Sequence, residues 1–188
     1  MRSIVYLLIG LLGSMSLTSE AQMTFDDVTM PAEYKLNEQS LKLNGAGVRE
    51  KFFLDLYIGG LYLQSPSTSA DGVIKADKPM SIKLHIISGL IDSDKMIDAI
   101  DDGMDKATKG NSSQFSNEII AFKKAFEEEI QVGDIYDITY DPSKGTVIYK
   151  NTKLTTTIPG FDFKQALFGI WLCDDPADED LKEGMLKG

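Results

Sequence analysis

Arg49 is the side chain of this sequence best placed to hold an anion. It stands two residues after Gly45-Ala46-Gly47, which reads as a break in the chain, and just before the most apolar stretch, residues 51–63. A guanidinium at such a place can sit at the mouth of an apolar cavity and grip an anion through two parallel hydrogen bonds. The same position also suits an arginine that braces its loop through backbone carbonyls. Other candidate chemistry is weaker. His85 is the sole histidine, which excludes a multi-histidine metal site and leaves a lone strand imidazole that reads as structural. Gly45-x-Gly47 lacks the third glycine of a dinucleotide-binding turn and precedes a strand, so it does not read as a phosphate cradle. Asp94, Asp98, Asp101, Asp102 and Asp105 share one helical face, and Asp174, Asp175, Asp178 and Asp180 crowd near the end; neither set has the ligand spacing of a calcium loop. No Gly-x-Ser-x-Gly elbow occurs, and no metal or cofactor is expected.

The elements that must position these residues follow from hydrophobic period. Residues 25–31 and 33–43 read as short strands. Residues 51–63 give the strongest strand signal, with Leu54, Leu56 and Ile58 on one face, Phe53, Asp55 and Tyr57 on the other, and a bulge expected at Gly59-Gly60. Residues 69–75 suggest a short helix capped by Ser69. Residues 80–88 return to strand, with Lys83 and His85 on the more polar face. The period then becomes helical over 93–108, through Met96, Ile97, Ile100 and Met104, and over 116–130, where Ile119, Ile120, Phe122, Phe126 and Ile130 are expected to be buried. Residues 134–140, 146–150 and 153–158 form a three-stranded meander whose first turn carries Pro142 and Gly145. Helices over 162–172, with Trp171, and 178–186 close the chain. Strands in blocks, with helices gathered between and after them, indicate an α+β fold.

Residues 1–21 have the layout of a secretory signal: Arg2, an apolar run from Ile4 to Leu12, and Ser19-Glu20-Ala21 before the expected cut. The run is short of the roughly 18 apolar residues that cross a bilayer, so cleavage is expected rather than an uncleaved anchor. The protein is then periplasmic or secreted, with residues 22–188 as one domain and no integral membrane segment. Cleavage removes Arg2 and Glu20, so the formal charge of the chain stays at −10. Such a surface repels nucleic acid and anionic headgroups. Cys173 is the only cysteine, so an intrachain disulfide is impossible.

The stretch Leu43-Asn44-Gly45-Ala46-Gly47-Val48-Arg49, followed by Gly59-Gly60-Leu61-Tyr62-Leu63, resembles the chalcone isomerase-like family. So do Gly133-Asp134, Phe168-Gly169-Ile170-Trp171-Leu172 and Asp180-Leu181-Lys182, in the family's order. The likeness runs from about Met30 to the end and is nearest to the family's bacterial exported branch. It implies an open-faced β-sandwich: a large antiparallel sheet with a helical layer and a ligand cleft between them. It also implies a choice of function. Enzymes of the family close a chalcone ring with the matching Arg, a Thr, a helical Tyr and Lys, and a late Thr or Ser. Of these only Arg49 is matched: Tyr57 stands where the Thr would be, the helix over 93–108 has Lys95 and Lys106 but no Tyr, and Ile170 or Trp171 replaces the late hydroxyl. Non-catalytic relatives bind fatty acids, and there the Arg and a strand Tyr hold the carboxylate.

The resemblance therefore implies a binding protein for a small amphipathic acid such as a fatty acid, with Arg49 and Tyr57 as ligand-binding residues. Two other readings stand beside it. An isomerase or lyase on another substrate would need Lys95 or Lys83 to converge on the cleft with Arg49. A structural or partner-binding envelope protein would have its cleft filled or collapsed.

Overall fold

The computed structural model describes residues 22–25, 27–36 and 39–188; the expected signal peptide, residues 1–21, lies outside the described residues. Seven strands form one antiparallel sheet in chain order: β3 (Glu33–Leu36), β4 (Gln39–Lys51), β5 (Leu54–Leu63), β6 (Met80–Ile86), β7 (Ile135–Asp141), β8 (Gly145–Lys150) and β9 (Lys153–Ile158). Sequential strands pair throughout, so the helices enter as excursions from a meander. They are α1 (Ala70–Ile74), α2 (Ser93–Ala107), α3 (Ser116–Lys123), α4 (Phe161–Leu172) and α5 (Glu179–Met185). The expected open-faced α+β architecture is what forms. One sheet face and the helical layer enclose the main core, which includes Leu61, Ile82, Phe122, Phe126, Leu167 and Trp171. The other face carries a smaller cluster around Met30, Leu41, Ile58 and Tyr62, against which a separate hairpin, β1 (Met23–Phe25) and β2 (Val28–Met30), also packs.

Several local expectations are met. Ser69 caps α1, its side chain accepting from the Gly72 N–H at 3.0 Å. The 134–158 meander forms, and Lys83 and His85 lie on the sheet face opposite the helices, alternating with core residues Ile82, Leu84 and Ile86. At the other end of α1, Lys164 is fully buried and its Nζ donates to the carbonyls of Val73, Ile74 and Ala76 at 2.8–2.9 Å. These carbonyls lie at and just past the C-terminal end of the helix, where intrahelical donors run out; the Val73 carbonyl also accepts from the Ala76 N–H at 3.3 Å. Burial pushes this lysine down to about 8, with Asp77 opposing, while Tyr140, Phe161 and Phe168 surround the ammonium with ring faces.

Other expectations need correction. The stretch 25–31 is a hairpin rather than one strand, and 33–43 divides between β3 and β4. The 51–63 strand is interrupted at its start: β4 ends at Lys51, Phe52 and Phe53 make the turn, and β5 begins at Leu54. Its bulge falls at Leu56, which has no partner between Glu50↔Asp55 and Arg49↔Tyr57, and not at Gly59-Gly60. The helix expected over 116–130 ends at Lys123 and tightens to a 3-10 turn over Lys124–Phe126, and Ile120, expected in the core, is exposed because the buried face of the helix runs through Ile119 and Phe122.

The most consequential correction concerns Gly45-Ala46-Gly47. It does not break the chain; it lies within β4. The glycines serve close approach instead, because α5 lies directly on that strand. A Cβ on Gly45 would come within 2.2 Å of the Gly184 carbonyl oxygen, and one on Gly184 within 2.6 Å of the Ala46 carbonyl oxygen. Asn44, the extra residue of a second bulge, fixes the far end of α5 by donating to the Met185 carbonyl at 2.7 Å. Backbone packed this tightly has no slack for a methyl group. Gly45→Ala is expected to cost about 2 kcal/mol, lowering Tm by roughly 4–8 °C. Hydrogen exchange in α5 should accelerate more than in β7–β9, and equal protection in both proteins would refute this packing account.

Candidate functional site

Arg49 and Tyr57 are directly opposed cross-strand partners on β4 and β5. Their side chains therefore share a sheet face, and it is the face that meets the helices. The Leu56 bulge adds a residue just before this pair, so Leu56 and Tyr57 both line the same hollow. That hollow is a cavity of about 570 Å³ between the sheet, α2 and α4. Its interior walls are buried apolar side chains: Leu84 of β6, Met96 and Ile100 of α2, Phe122 and Phe126, and Ile170 and Trp171 of α4. The opening lies between the tip of the β4–β5 hairpin and α2, where the lining residues Phe52, Leu54, Leu90, Lys95 and Asp98 are exposed.

Arg49 is held rather than loose. Its side chain is 17% exposed, and Nη1 donates to the Glu50 carbonyl at 2.7 Å and to Asp178 Oδ2 at 3.0 Å. The bracing role read from the sequence is thus present, together with a partner that sequence did not reveal. Asp178 is the N-cap of α5: its Oδ1 accepts from the Leu181 N–H at 2.8 Å and its Oδ2 also accepts from the Glu50 N–H at 3.2 Å. The carboxylate accepts from three donors and meets the guanidinium through Nη1 alone. The guanidinium's Nε and Nη2 have no protein acceptor among the described residues, and Arg49 is one of the residues that line the cavity.

Tyr57 is buried, and its hydroxyl oxygen accepts from the indole N–H of Trp171 at 3.1 Å. An indole can only donate. The phenol proton is therefore uncommitted, with no protein acceptor among the described residues. Burial raises the phenol above its ordinary value, opposed by the Trp171 N–H and the nearby Arg49 charge, so it remains a neutral donor. Arg49 and Tyr57, each with N–H or O–H groups that have no protein acceptor among the described residues, both line the apolar cavity.

The remaining sequence candidates lie apart from this pair. Lys83 is on the opposite sheet face, in an ion pair with Asp137 and over the Tyr34 ring, so the convergence with Arg49 that a lyase would need does not form there. Lys95 borders the opening, but its Nζ is bound to the Leu90 carbonyl and to Asp92. Lys106 pairs with Asp175. His85 stands beside Lys83 on the far face, and Cys173 ends α4 with its carbonyl accepting from Lys182. Among the described residues no Ser, Thr, His or Cys lines the cavity. Among the described residues no group of three or more His, Cys, Asp or Glu side chains is arranged to hold a metal ion.

The sequence model described as chalcone isomerase-like matches residues 22–187. The chain belongs to the chalcone isomerase-like family. Among solved structures, this family member is similar to a fatty-acid binding protein of Arabidopsis thaliana, with a TM-score of 0.73 at 19% identity. The match covers 89% of this chain and 96% of that one, and at this identity it establishes the shared fold. No curated protein sequence matches the chain.

Sequence reasoning did not foresee the roles of Asp178 and Trp171 beside Arg49 and Tyr57. Asp178 carried a readable signal, an N-cap residue ahead of Glu179-Asp180, but its partner lies 129 positions away. Tyr57→Phe removes only the hydroxyl and leaves the Trp171 N–H buried without an acceptor. It is expected to destabilise the protein by about 1–3 kcal/mol, read by denaturant unfolding. An unchanged midpoint would mean that the Trp171–Tyr57 bond does not form.

Proposed function

We propose that this protein is a non-catalytic carrier for a small amphipathic acid such as a fatty acid. The observation that carries the reading is the juxtaposition of two uncommitted donors, on Arg49 and Tyr57, with an apolar cavity of about 570 Å³. A carboxylate accepts from both donors while its hydrocarbon tail replaces contact with water by contact with Leu84, Met96, Phe122, Phe126 and Ile170. The volume is within the ~300–1,000 Å³ usual for small-ligand sites. The similar Arabidopsis thaliana structure, a fatty-acid binding protein, supports the same ligand class. The lining does not favour a lyase, since Lys83 is outside it and the cavity's lysines are at the exposed edge. An open cavity also does not favour a purely structural protein. We further propose that residues 1–21 are a cleaved signal, placing the carrier in the periplasm or outside the cell, as in the family's bacterial exported branch.

One preparation tests these points. Mass spectrometry of the denatured, purified protein is expected to show acyl chains and a polypeptide beginning near Gln22. After delipidation, Trp171, the single tryptophan, reports rebinding through its emission, because it lines the cavity. Arg49→Ala should weaken fatty-acid binding roughly 10–100-fold, the worth of a hydrogen bond to a charged group, and leave the circular dichroism spectrum unchanged. Equal affinity in the variant rejects Arg49 as the anchor, and no binding by either protein rejects the carrier reading.

A further inference from the structure

The turn joining β4 to β5 is built against the usual rules. It has two residues, and both are in the left-handed region, Phe52 at φ 54° and Phe53 at φ 65°. Two-residue turns of this kind favour Asn-Gly, because a residue with a Cβ is strained there and a bulky one most of all. The side chains gain no burial in exchange: Phe52 is 82% and Phe53 94% exposed. Four of the seven exposed large apolar side chains among the described residues, Phe52, Phe53, Leu54 and Leu90, stand at this one place. Phe52, Leu54 and Leu90 also line the cavity, so the patch continues into it. Strain and exposure together, at the opening of an apolar hollow, mark a functional contact.

We propose that the Phe52-Phe53 hairpin tip inserts into the surface of a zwitterionic phospholipid bilayer, letting an acyl ligand pass between bilayer and cavity; the passage, though not the insertion, rests on the carrier reading above. Two aromatic side chains projecting from a narrow hairpin cover much less than the ~800 Å² per partner of a stable protein interface. They suit shallow, reversible insertion at the boundary between headgroups and acyl chains. The charge selects the kind of bilayer. The chain carries −10, and Glu50 and Asp55 flank the tip, with Lys51 the one positive residue between Glu50 and Asp55. An anionic surface would repel it.

The test is flotation of the full chain, free of fatty acid, with phosphatidylcholine vesicles. The wild type should float, and Phe53→Gly should lose at least five-fold of the bound fraction. Phe53 does not line the cavity, so the variant should bind fatty acid in solution as the wild type does. Glycine takes positive φ without strain, so its Tm should equal or exceed the wild-type value, which separates lost docking from lost folding. Replacing a third of the lipid with phosphatidylglycerol should weaken flotation. The proposal is overturned if the wild type stays unbound, if Phe53→Gly floats equally, or if anionic lipid strengthens binding. It is also overturned if the tip instead mediates self-association that Phe53→Gly abolishes in gel filtration without vesicles. Because no fatty acid is present in the flotation, failure there with Arg49-dependent binding intact removes this inference alone, and the converse result removes only the carrier reading.

Discussion

A guanidinium drawn out of bulk water beside an apolar hollow needs a counter-charge, and the contact between Arg49 and Asp178 supplies it. Much of the architecture around the site converges on that contact. Asp178 reaches Arg49 because α5 lies flat on β4, and α5 can lie flat because Gly45 and Gly184 offer bare backbone where the two elements meet. Asn44 holds the other end of the helix. The carboxylate also caps α5 and accepts from the Glu50 N–H, so it stabilises the cation without using its Nε and Nη2 donors. A half-buried pair of this sort is costly to break from one side, since the remaining charge is left without its partner. It fixes where the positive charge sits more than it adds to the stability of the fold.

The cavity beside that pair is a second constraint. Protein interiors are close-packed, and this one holds open a space of about 570 Å³ lined mainly by apolar side chains. The seven-stranded sheet provides the rigid wall, and the helices span it. Tyr57 and Trp171 illustrate the division of labour: the indole satisfies its own donor on the phenol oxygen, and the phenol's proton has no protein acceptor among the described residues. Polar groups in an apolar wall are usually satisfied completely. Here two residues that line it, Arg49 and Tyr57, keep donor atoms without a protein acceptor among the described residues.

The sequence revealed the architecture more readily than the site, for physical reasons. The meander over 134–158, the helices α2 and α4, and the Ser69 cap depend on local period and local hydrogen bonding, so their signals lie within a few residues. Gly45 and Gly47 were ambiguous because glycine answers two different demands, a turn and a close approach, and only the presence of α5 decides between them. Phe52-Phe53 hid a turn inside residues with strong strand preference. The Leu56 bulge was displaced from the glycines that suggested one, because the register is set by pairing with β4. Arg49 itself was legible, and its resemblance to the family's arginine carried the binding expectation, but Asp178 lay too far along the chain to be matched with it. Lys83 read as a polar-face lysine without revealing that Asp137 engages it on the side away from the cavity.

On the proposed carrier reading, a ligand carboxylate rests against Arg49 and Tyr57 while its tail lies in the hollow. The most direct measurement is carbon-13 NMR of carboxyl-labelled oleate bound to the protein, titrated with acid. A nearby cation and donated hydrogen bonds favour the ionised form, so the bound carboxyl should titrate at lower pH than the same oleate in phosphatidylcholine vesicles. A bound resonance that titrates as it does in vesicles would contradict the account.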